Sequence, residues 1–302
     1  MKVLIVGYSK IVKKRVIPYF NQSNIKYEIA SRSKRKLNKN AQNWYHGYSA
    51  GLNNSDAKIV YISLPNSMHF LWAKNFLKKN FHVIVDKPIC KNIKQMNELF
   101  KLSNKKKLLI SESIFFYYHR QFLELNKIIK KRKLKILNIS SNFCIPRPNK
   151  KSILNSKKLM GGVLTDMGPY FASIIRILLK EKPLKLYTNI KYTKLPESFS
   201  CYAIFRKKLT FHAYFSHNSN YENSLKINTT GGNFYLNRVY SPPSNEKVYF
   251  EHKNSKGKIT KKKIVDNVFK NYFTEVLKKI KDKNYNFYKK NLIFDQNIRD
   301  RL

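Results

Sequence analysis

The sequence predicts an α/β amino-terminal half built on a doubly wound parallel sheet, and an α+β carboxyl-terminal half around a mostly antiparallel open sheet. Three observations carry this reading. Strand-like and helix-like runs alternate with short turns over roughly the first 115 residues; consecutive extended runs then take over. At 302 residues with 42% hydrophobic content, the chain is long enough for two cores. The expected domains are residues 1–115 and 116–302.

In the first half, Met1 to Gly7 reads as a strand and a turn, followed by a helical pattern through Ile11, Val12, Val16, Ile17 and Phe20. Strands are expected at Ile25–Ala30, Ala57–Leu64, Phe81–Val85 and Leu108–Ser111, with helices at Ser67–Lys79 and Ile93–Leu102. Such alternation implies right-handed βαβ crossovers, a Rossmann-type unit. In the second half, a helix at His119–Lys131 precedes extended runs at Leu134–Cys144, Pro183–Thr193, Ser198–Phe205, Leu209–Ser216 and Ser224–Asn228. A helix at Met167–Leu179 interrupts them, and Gly231-Gly232 marks a turn. The lysine-rich stretch Lys253–Lys263 reads as a solvated turn region, and Val268, Tyr272, Phe273, Val276 and Ile280 define a last helix at Asn267–Lys281.

With 61 basic and 17 acidic residues the net charge is +44, a value that points to nucleic acid when the basic residues gather on one face or arm. Here they are dispersed, and the chain is equally heavy in Asn, Ile, Tyr and Phe, residues with AT-rich codons, so base composition accounts for the charge. Nucleic-acid binding is not expected; the positive field should favour anionic ligands such as phosphorylated cofactors or nucleotide sugars. Cys90, Cys144 and Cys201 lack disulfide or zinc spacing. No metal site is expected. Neither a secretory h-region nor a membrane-length apolar run is present, so a cytoplasmic location is expected.

The chemistry centres on Val83-Ile84-Val85-Asp86-Lys87-Pro88. Pro88 cannot donate to a ladder, so the strand ends there and leaves Lys87 at the carboxyl edge, where parallel α/β sheets bind ligands. A lysine against low-dielectric walls can have its pKa lowered enough to move protons. The first turn, Gly7-Tyr8-Ser9-Lys10-Ile11-Val12, has one glycine where a dinucleotide fingerprint has three. Gly7 permits the tight turn, Ser9 is small enough for amides to approach a pyrophosphate, and Val12 would push the helix slightly off the sheet. The second strand runs into Ser31-Arg32-Ser33-Lys34-Arg35, where an arginine with a hydroxyl beside it suits a ribose 2′-phosphate, so NADP(H) is favoured over NAD(H). Leu64-Pro65-Asn66 would face the crevice, Ser67 is a plausible N-cap, and His69 suits a helix-face role or a ligand contact. In the second half, Asp166 is placed to begin a helix and Tyr170 follows four residues on, so one face carries both and can be aimed at Lys87.

These residues resemble the glucose-fructose oxidoreductase, inositol dehydrogenase and MocA group of NAD(P)-dependent oxidoreductases. The match lies in Leu64-Pro65-Asn66-Ser67-Met68-His69, Asp86-Lys87-Pro88 in place of an EKP motif, Glu112 followed by Tyr117-Tyr118-His119-Arg120-Gln121, and Gly161-Gly162 with Asp166, Gly168 and Tyr170. The resemblance implies cofactor contacts from Gly7 to Ile11, Ser31, Arg32, Leu64, Pro65, Asn66, His69, Asp86, Lys87 and Glu112. It further implies Lys87, His119, Asp166 and Tyr170 at the substrate, with Lys87 and Tyr170 moving the proton and Asp166 orienting sugar hydroxyls. A lysine beside an oxidised nicotinamide is pushed toward neutrality, and in its charged form it favours tyrosinate nearby. Ser9, Val12, Asp86 and Tyr170 depart from the commonest family residues. The resulting expectation is an NADP(H)-dependent oxidoreductase acting on a secondary alcohol or ketone carbon of a sugar or nucleotide sugar, a homo-oligomer through its carboxyl-terminal sheet. A catalytically silent NADP-binding sensor or assembly subunit is the alternative.

Overall fold

The computed structural model describes residues 2–33 and 40–302; Met1, Lys34 and Arg35 of the motifs above lie outside the described residues. The chain divides into two compact units, residues 1–113 with 272–300, and residues 114–271 with 301–302.

In the first unit, six strands form an all-parallel sheet in the order β3-β2-β1-β4-β5-β6: β1 Lys2–Val6, β2 Lys26–Ser31, β3 Ala41–His46, β4 Ile59–Ile62, β5 His82–Val85 and β6 Ile110–Glu112. This is the doubly wound order, whose switch point lies between β1 and β4. The near-continuous apolar runs of β1, β4 and β5 follow from burial on both faces. Helices α1 Ile17–Gln22, α2 Tyr48–Asn54, α3 Asn66–Lys78 and α4 Ile93–Lys106 make the crossovers. A π-helical segment, Val12–Val16, leads into α1 and buries Val12 and Val16. Asn92 caps α4 by accepting from Gln95 N. Strand β3 and helix α2 were not expected from the sequence.

The last helices also differ from expectation. Residues 272–300, read from the sequence as part of the second half, return to the first unit. There Tyr272, Phe273 and Val276 of α7 (Val268–Lys281) are fully buried, Phe273 against Phe20 and Tyr61. Each such side chain contributes on the order of 1.5–3 kcal/mol by its burial. Helix α8, Lys289–Arg299, follows and buries Leu292, Asp295, Gln296 and Ile298.

The second unit carries an eight-stranded sheet, β14-β13-β12-β11-β7-β10-β9-β8, antiparallel except for the β7–β10 pair. Its strands are β7 Ile136–Cys144, β8 Lys185–Tyr192, β9 Pro196–Ile204, β10 Thr210–Ser216, β11 Glu222–Thr229, β12 Gly232–Asn237, β13 Lys247–Asn254 and β14 Ile259–Val265. Residues 253–263, expected as a solvated turn, are instead the tip and arms of the β13–β14 hairpin. The turn is confined to Asn254–Gly257, where Gly257 has φ +81°. Lysines on β14 are exposed, as suits an edge strand. Helix α5, Arg120–Lys131, precedes the sheet, and helix α6, Val163–Ile174, packs on β9 and β10 through residues such as Phe171, stacked on Phe211.

Candidate active site

The first unit assembles a ring of loops at the carboxyl ends of β1, β4, β5 and β6. Gly7 follows β1 with φ +96°, and a Cβ there would lie 2.2 Å from the Ser63 carbonyl oxygen. Both the dihedral and the close approach demand glycine. The chain then enters the helical run toward α1, whose amino terminus and macrodipole suit a phosphate. Tyr8 packs edge-on to Trp44 at 4.9 Å between centroids, with Lys13 Nζ 4.7 Å over its ring. Lys10 is exposed and Ile11 half-buried. Gly7 thus lets the end of β1 pack directly against the loop after β4.

Ser31 closes β2, and its hydroxyl has two partners within the protein. It donates to Ser33 O at 2.7 Å and accepts from Trp44 Nε1 at 2.9 Å, and the residue is 4% exposed. Its part is to shape the turn that presents Arg32, which is exposed. Trp44, which lies in no sequence motif, is the donor to that hydroxyl.

At the β4 end, Leu64 is buried and Pro65 precedes α3, which starts at Asn66, so Ser67 lies inside the helix rather than at its cap. His69, 1% exposed, places one ring nitrogen 2.8 Å from Pro88 O and the other 2.7 Å from Leu64 O. The ring is therefore committed to backbone, and it ties the entry of α3 to the residue after Lys87.

Lys87 itself is half-buried, followed by a cis peptide bond to Pro88. Both oxygens of Asp86 accept hydroxyls, Oδ1 from Tyr61 and Oδ2 from Ser63, each at 2.5 Å. Burial raises the Asp86 pKa, while those two hydroxyls and the charges of His69 and Lys87 pull it back partway. On the other side, Glu112 Oε1 accepts from Ile89 N at 2.8 Å and from Arg299 Nη1 at 3.0 Å. Burial opposes the charge on Arg299, yet Glu112 beside it, with Cys90 and Asp295, holds its pKa above the ordinary value. Glu112 thus works as the anchor of the Lys87-Pro88-Ile89 segment.

In the second unit, α6 begins at Val163 behind Gly162, which has φ +95°; Asp166 consequently lies in the first turn rather than at the cap. Asp166 and Tyr170 are both half-buried and share one helix face. Asp166 Oδ2 lies 3.0 Å from Nε2 of His217, a 5% exposed residue just past β10. The Tyr170 ring packs against Tyr240, Phe143 and Phe116 at centroid distances of 5.0, 5.5 and 5.7 Å. His119 is fully buried and caps α5, its Nδ1 accepting from Gln121 N at 3.2 Å. Burial, opposed by Asp266 and reinforced by Arg120, pushes its pKa down to about 4. The sequence reading missed His217 and Arg299 because neither lies in a motif.

A groove of about 430 Å³ opens on the second sheet, lined by residues that include Tyr187, Tyr202, His212 and Tyr214. None of the candidate residues lines it. Among the described residues, no cluster of His, Cys, Asp and Glu could hold a metal, and no helix is long and apolar enough to cross a membrane.

Residues 1–114 match the model of an oxidoreductase family with an NAD-binding Rossmann fold, the Gfo/Idh/MocA group. The match covers the amino-terminal third of the chain and the Rossmann sheet that it forms. Among similar proteins, a dTDP-3,4-didehydro-2,6-dideoxy-α-D-glucose 3-reductase of Streptomyces violaceoruber is 26% identical over 186 residues, 59% of this chain and 54% of that protein. A protein of the same name from Actinomadura kijaniata is 22% identical over 254 residues, 81% of this chain and 76% of that one. Among solved structures, a 3-ketoreductase from Actinomadura kijaniata in complex with NADP and TDP-benzene superimposes with a TM-score of 0.92 at 20% identity, covering 100% of this chain and 96% of that one. An aldose-aldose oxidoreductase from Caulobacter crescentus gives a TM-score of 0.87 at 14% identity, with coverage of 100% and 96%. The doubly wound parallel sheet and the mostly antiparallel open sheet expected from the sequence are both present.

Proposed function

We propose that this protein is an NADP(H)-dependent oxidoreductase that moves hydride to or from a secondary carbinol or ketone carbon of a sugar, the sugar carried on a nucleotide. The observation that carries the reading is the framing of Lys87. Two hydroxyls hold Asp86 before it, His69 holds the carbonyl of Pro88 after it, and the buried Glu112–Arg299 pair holds the amide of Ile89. A scaffold that only bound a cofactor would not need such support around one lysine. The names of the dTDP-sugar reductases among its relatives support the substrate class, and the dispersed positive charge favours a diphosphate ligand.

In this reading the nicotinamide supplies or receives the hydride, and the protein contributes alignment and charge placement. Tyr170 Oη gives the one proton to the substrate oxygen in reduction and takes it back in oxidation, with Lys87 Nζ binding that oxygen and assisting or sharing the transfer. Asp166, braced by His217, accepts from a sugar hydroxyl. Arg32 takes the 2′-phosphate, and the Gly7 turn takes the pyrophosphate. The open face of the second sheet, with Tyr187, Tyr202 and Tyr214 exposed, receives a second copy of the chain; a monomer by sedimentation at micromolar concentration contradicts that assignment. With Cys90, Cys144 and Cys201 buried and free, the cytoplasm is the assigned compartment.

The experiment is a fluorescence titration with NADPH and then NADH, followed by turnover assays on dTDP-linked keto-sugars. Tight NADPH binding, weaker NADH binding and turnover of a keto-sugar support the proposal. Binding without turnover on any such substrate favours the silent NADP-binding subunit, and binding of neither cofactor removes the reading.

A further inference from the structure

Two departures from the family pattern, Ser9 for a fingerprint glycine and Asp86 for a longer glutamate, are joined in space by one residue. Ser63 Oγ lies 2.8 Å from Ser9 Oγ and donates to Asp86 Oδ2 at 2.5 Å. Tyr61, fully buried, donates to the other carboxylate oxygen. Backbone bonds lock the same frame: Ser63 N donates to Val6 O at 2.8 Å and Asp86 N to Ile62 O at 2.9 Å.

The directions of these bonds follow from the inventory of protons. An ionised carboxylate only accepts, so the single proton of Ser63 is committed to Asp86. Ser63 must then accept from Ser9, and the lone pairs of Ser9 are left to accept from Val12 N at 3.2 Å. That last bond caps the helical run that follows the phosphate turn. Ser9 therefore does three things that glycine cannot: it satisfies Ser63, caps the helix, and connects the turn to the residue beside Lys87.

We propose that Ser63 is a positioning residue, and that Ser9, Ser63, Tyr61 and Asp86 act as one hydrogen-bonded unit that sets the phosphate turn and the Lys87 segment together. On this view Ser9 and Asp86 are a matched pair rather than an eroded fingerprint. The shorter aspartate leaves its oxygens where Ser63 reaches them, and Ser63 in turn reaches Ser9. Buried hydroxyl-to-carboxylate bonds reinforce one another, so loss of any link unfastens the rest. The consequence for cofactor and turnover rests on the oxidoreductase reading above.

The test exploits a reversal. If Ser9 were simple erosion, Ser9→Gly would restore the fingerprint and tighten NADPH binding. The proposal expects the opposite: Ser9→Gly and Ser63→Ala each weaken NADPH binding by about three- to tenfold, the worth of one such bond, and the double variant is no weaker than either single one. Turnover at saturating NADPH should fall in Ser63→Ala and recover in Ser63→Thr, which keeps the hydroxyl; a loss of packing alone gives no such rescue. The same cycle read as urea midpoints of the cofactor-free protein should be equally non-additive. Tighter or unchanged NADPH binding in Ser9→Gly, or losses that multiply in the double variant, overturns the proposal. If the parent protein binds neither NADPH nor NADH, the oxidoreductase reading falls, and the cofactor-free cycle alone decides whether the unit exists.

Discussion

Nε2 of His217 lies 3.0 Å from Oδ2 of Asp166, joining the end of β10 to the first turn of α6. The pair lies well inside the surface, with side chains 6% and 22% exposed, so a bond lost here is not replaced cheaply by water. Removing the imidazole takes away one of the partners that orient the Asp166 carboxylate. The expected result for His217→Ala is a fall in kcat/KM of about tenfold or more, from a charge-assisted bond worth about 1.5–3 kcal/mol. His217→Gln, which can still donate, should recover part of it. Steady-state kinetics on both variants check this, and parental kcat/KM in His217→Ala would remove the histidine from the site.

The way the sequence revealed this site follows from where each signal resides. The runs of β1, β4 and β5 are apolar on both faces and bounded by turn residues, so periodicity alone placed Gly7 and Lys87 at strand ends. Strand β14 hid because an edge strand exposed along most of its length carries lysines where a buried strand carries valines. Helix α8 hid because its buried face includes Asp295 and Gln296, polar side chains that blur the apolar stripe. Asp166, expected to begin the helix, lies within its first turn because α6 starts behind Gly162, which offers no side-chain cap to read. Ser63, His217, Trp44 and Arg299 act through partners distant in sequence, and only the fold brings those together.

The Glu112–Arg299 pair predicts a stability experiment. Side-chain exposures of 1% and 8% place both charges in the interior, where each depends on the other. Arg299→Met leaves Glu112 buried without its cation, and the expected loss is about 3–5 kcal/mol of unfolding free energy. Adding Glu112→Gln should return a substantial part, because the orphaned charge is gone. Urea denaturation of the two variants decides it, and equal stability of single and double variants would contradict the pairing.

Acid should destabilise the protein through His119. Its folded pKa, held down to about 4 by burial, lies below the ordinary value of 6.5, so the unfolded chain takes up a proton first as pH falls. Above pH 6.5 both states are neutral and the group adds no pH dependence. Between 6.5 and about 4, stability declines progressively, by up to about 3 kcal/mol, and below that range the contribution is constant. His82 and His252, also lowered chiefly by burial, act in the same direction. His119→Asn keeps a capping oxygen and removes the titration, so its urea midpoint should fall less between pH 6.5 and 4.5 than that of the parent.

Cofactor choice should be separable from cofactor binding. Arg32 is exposed on a turn held by Ser31, Ser33 and Trp44, and the proposed 2′-phosphate contact belongs to NADPH alone. Arg32→Ala is expected to weaken NADPH about tenfold or more while leaving NADH within about twofold, since a charge-assisted bond is worth about 1.5–3 kcal/mol. Trp44→Phe removes only the donor to Ser31 and should produce a smaller shift in the same direction. Parallel fluorescence titrations measure both, and an equal loss for the two cofactors in Arg32→Ala would move the 2′-phosphate elsewhere.

Lys87→Ala tests the centre of the proposal. Asp86, His69 and Glu112 frame the segment through bonds to Ser63 Oγ, Pro88 O and Ile89 N, so the loop should keep its path. Cofactor affinity is therefore expected to stay within about threefold, less than one ordinary hydrogen bond is worth. Turnover should drop by about a hundredfold or more if Nζ transfers or stabilises the proton at the substrate oxygen. Tyr170→Phe should show a comparable fall, and the double variant should be little slower than the slower single one, because groups that act as a unit are not additive. Turnover at the parental rate in Lys87→Ala would exclude the lysine from the proton path and leave the framing around it without a chemical purpose.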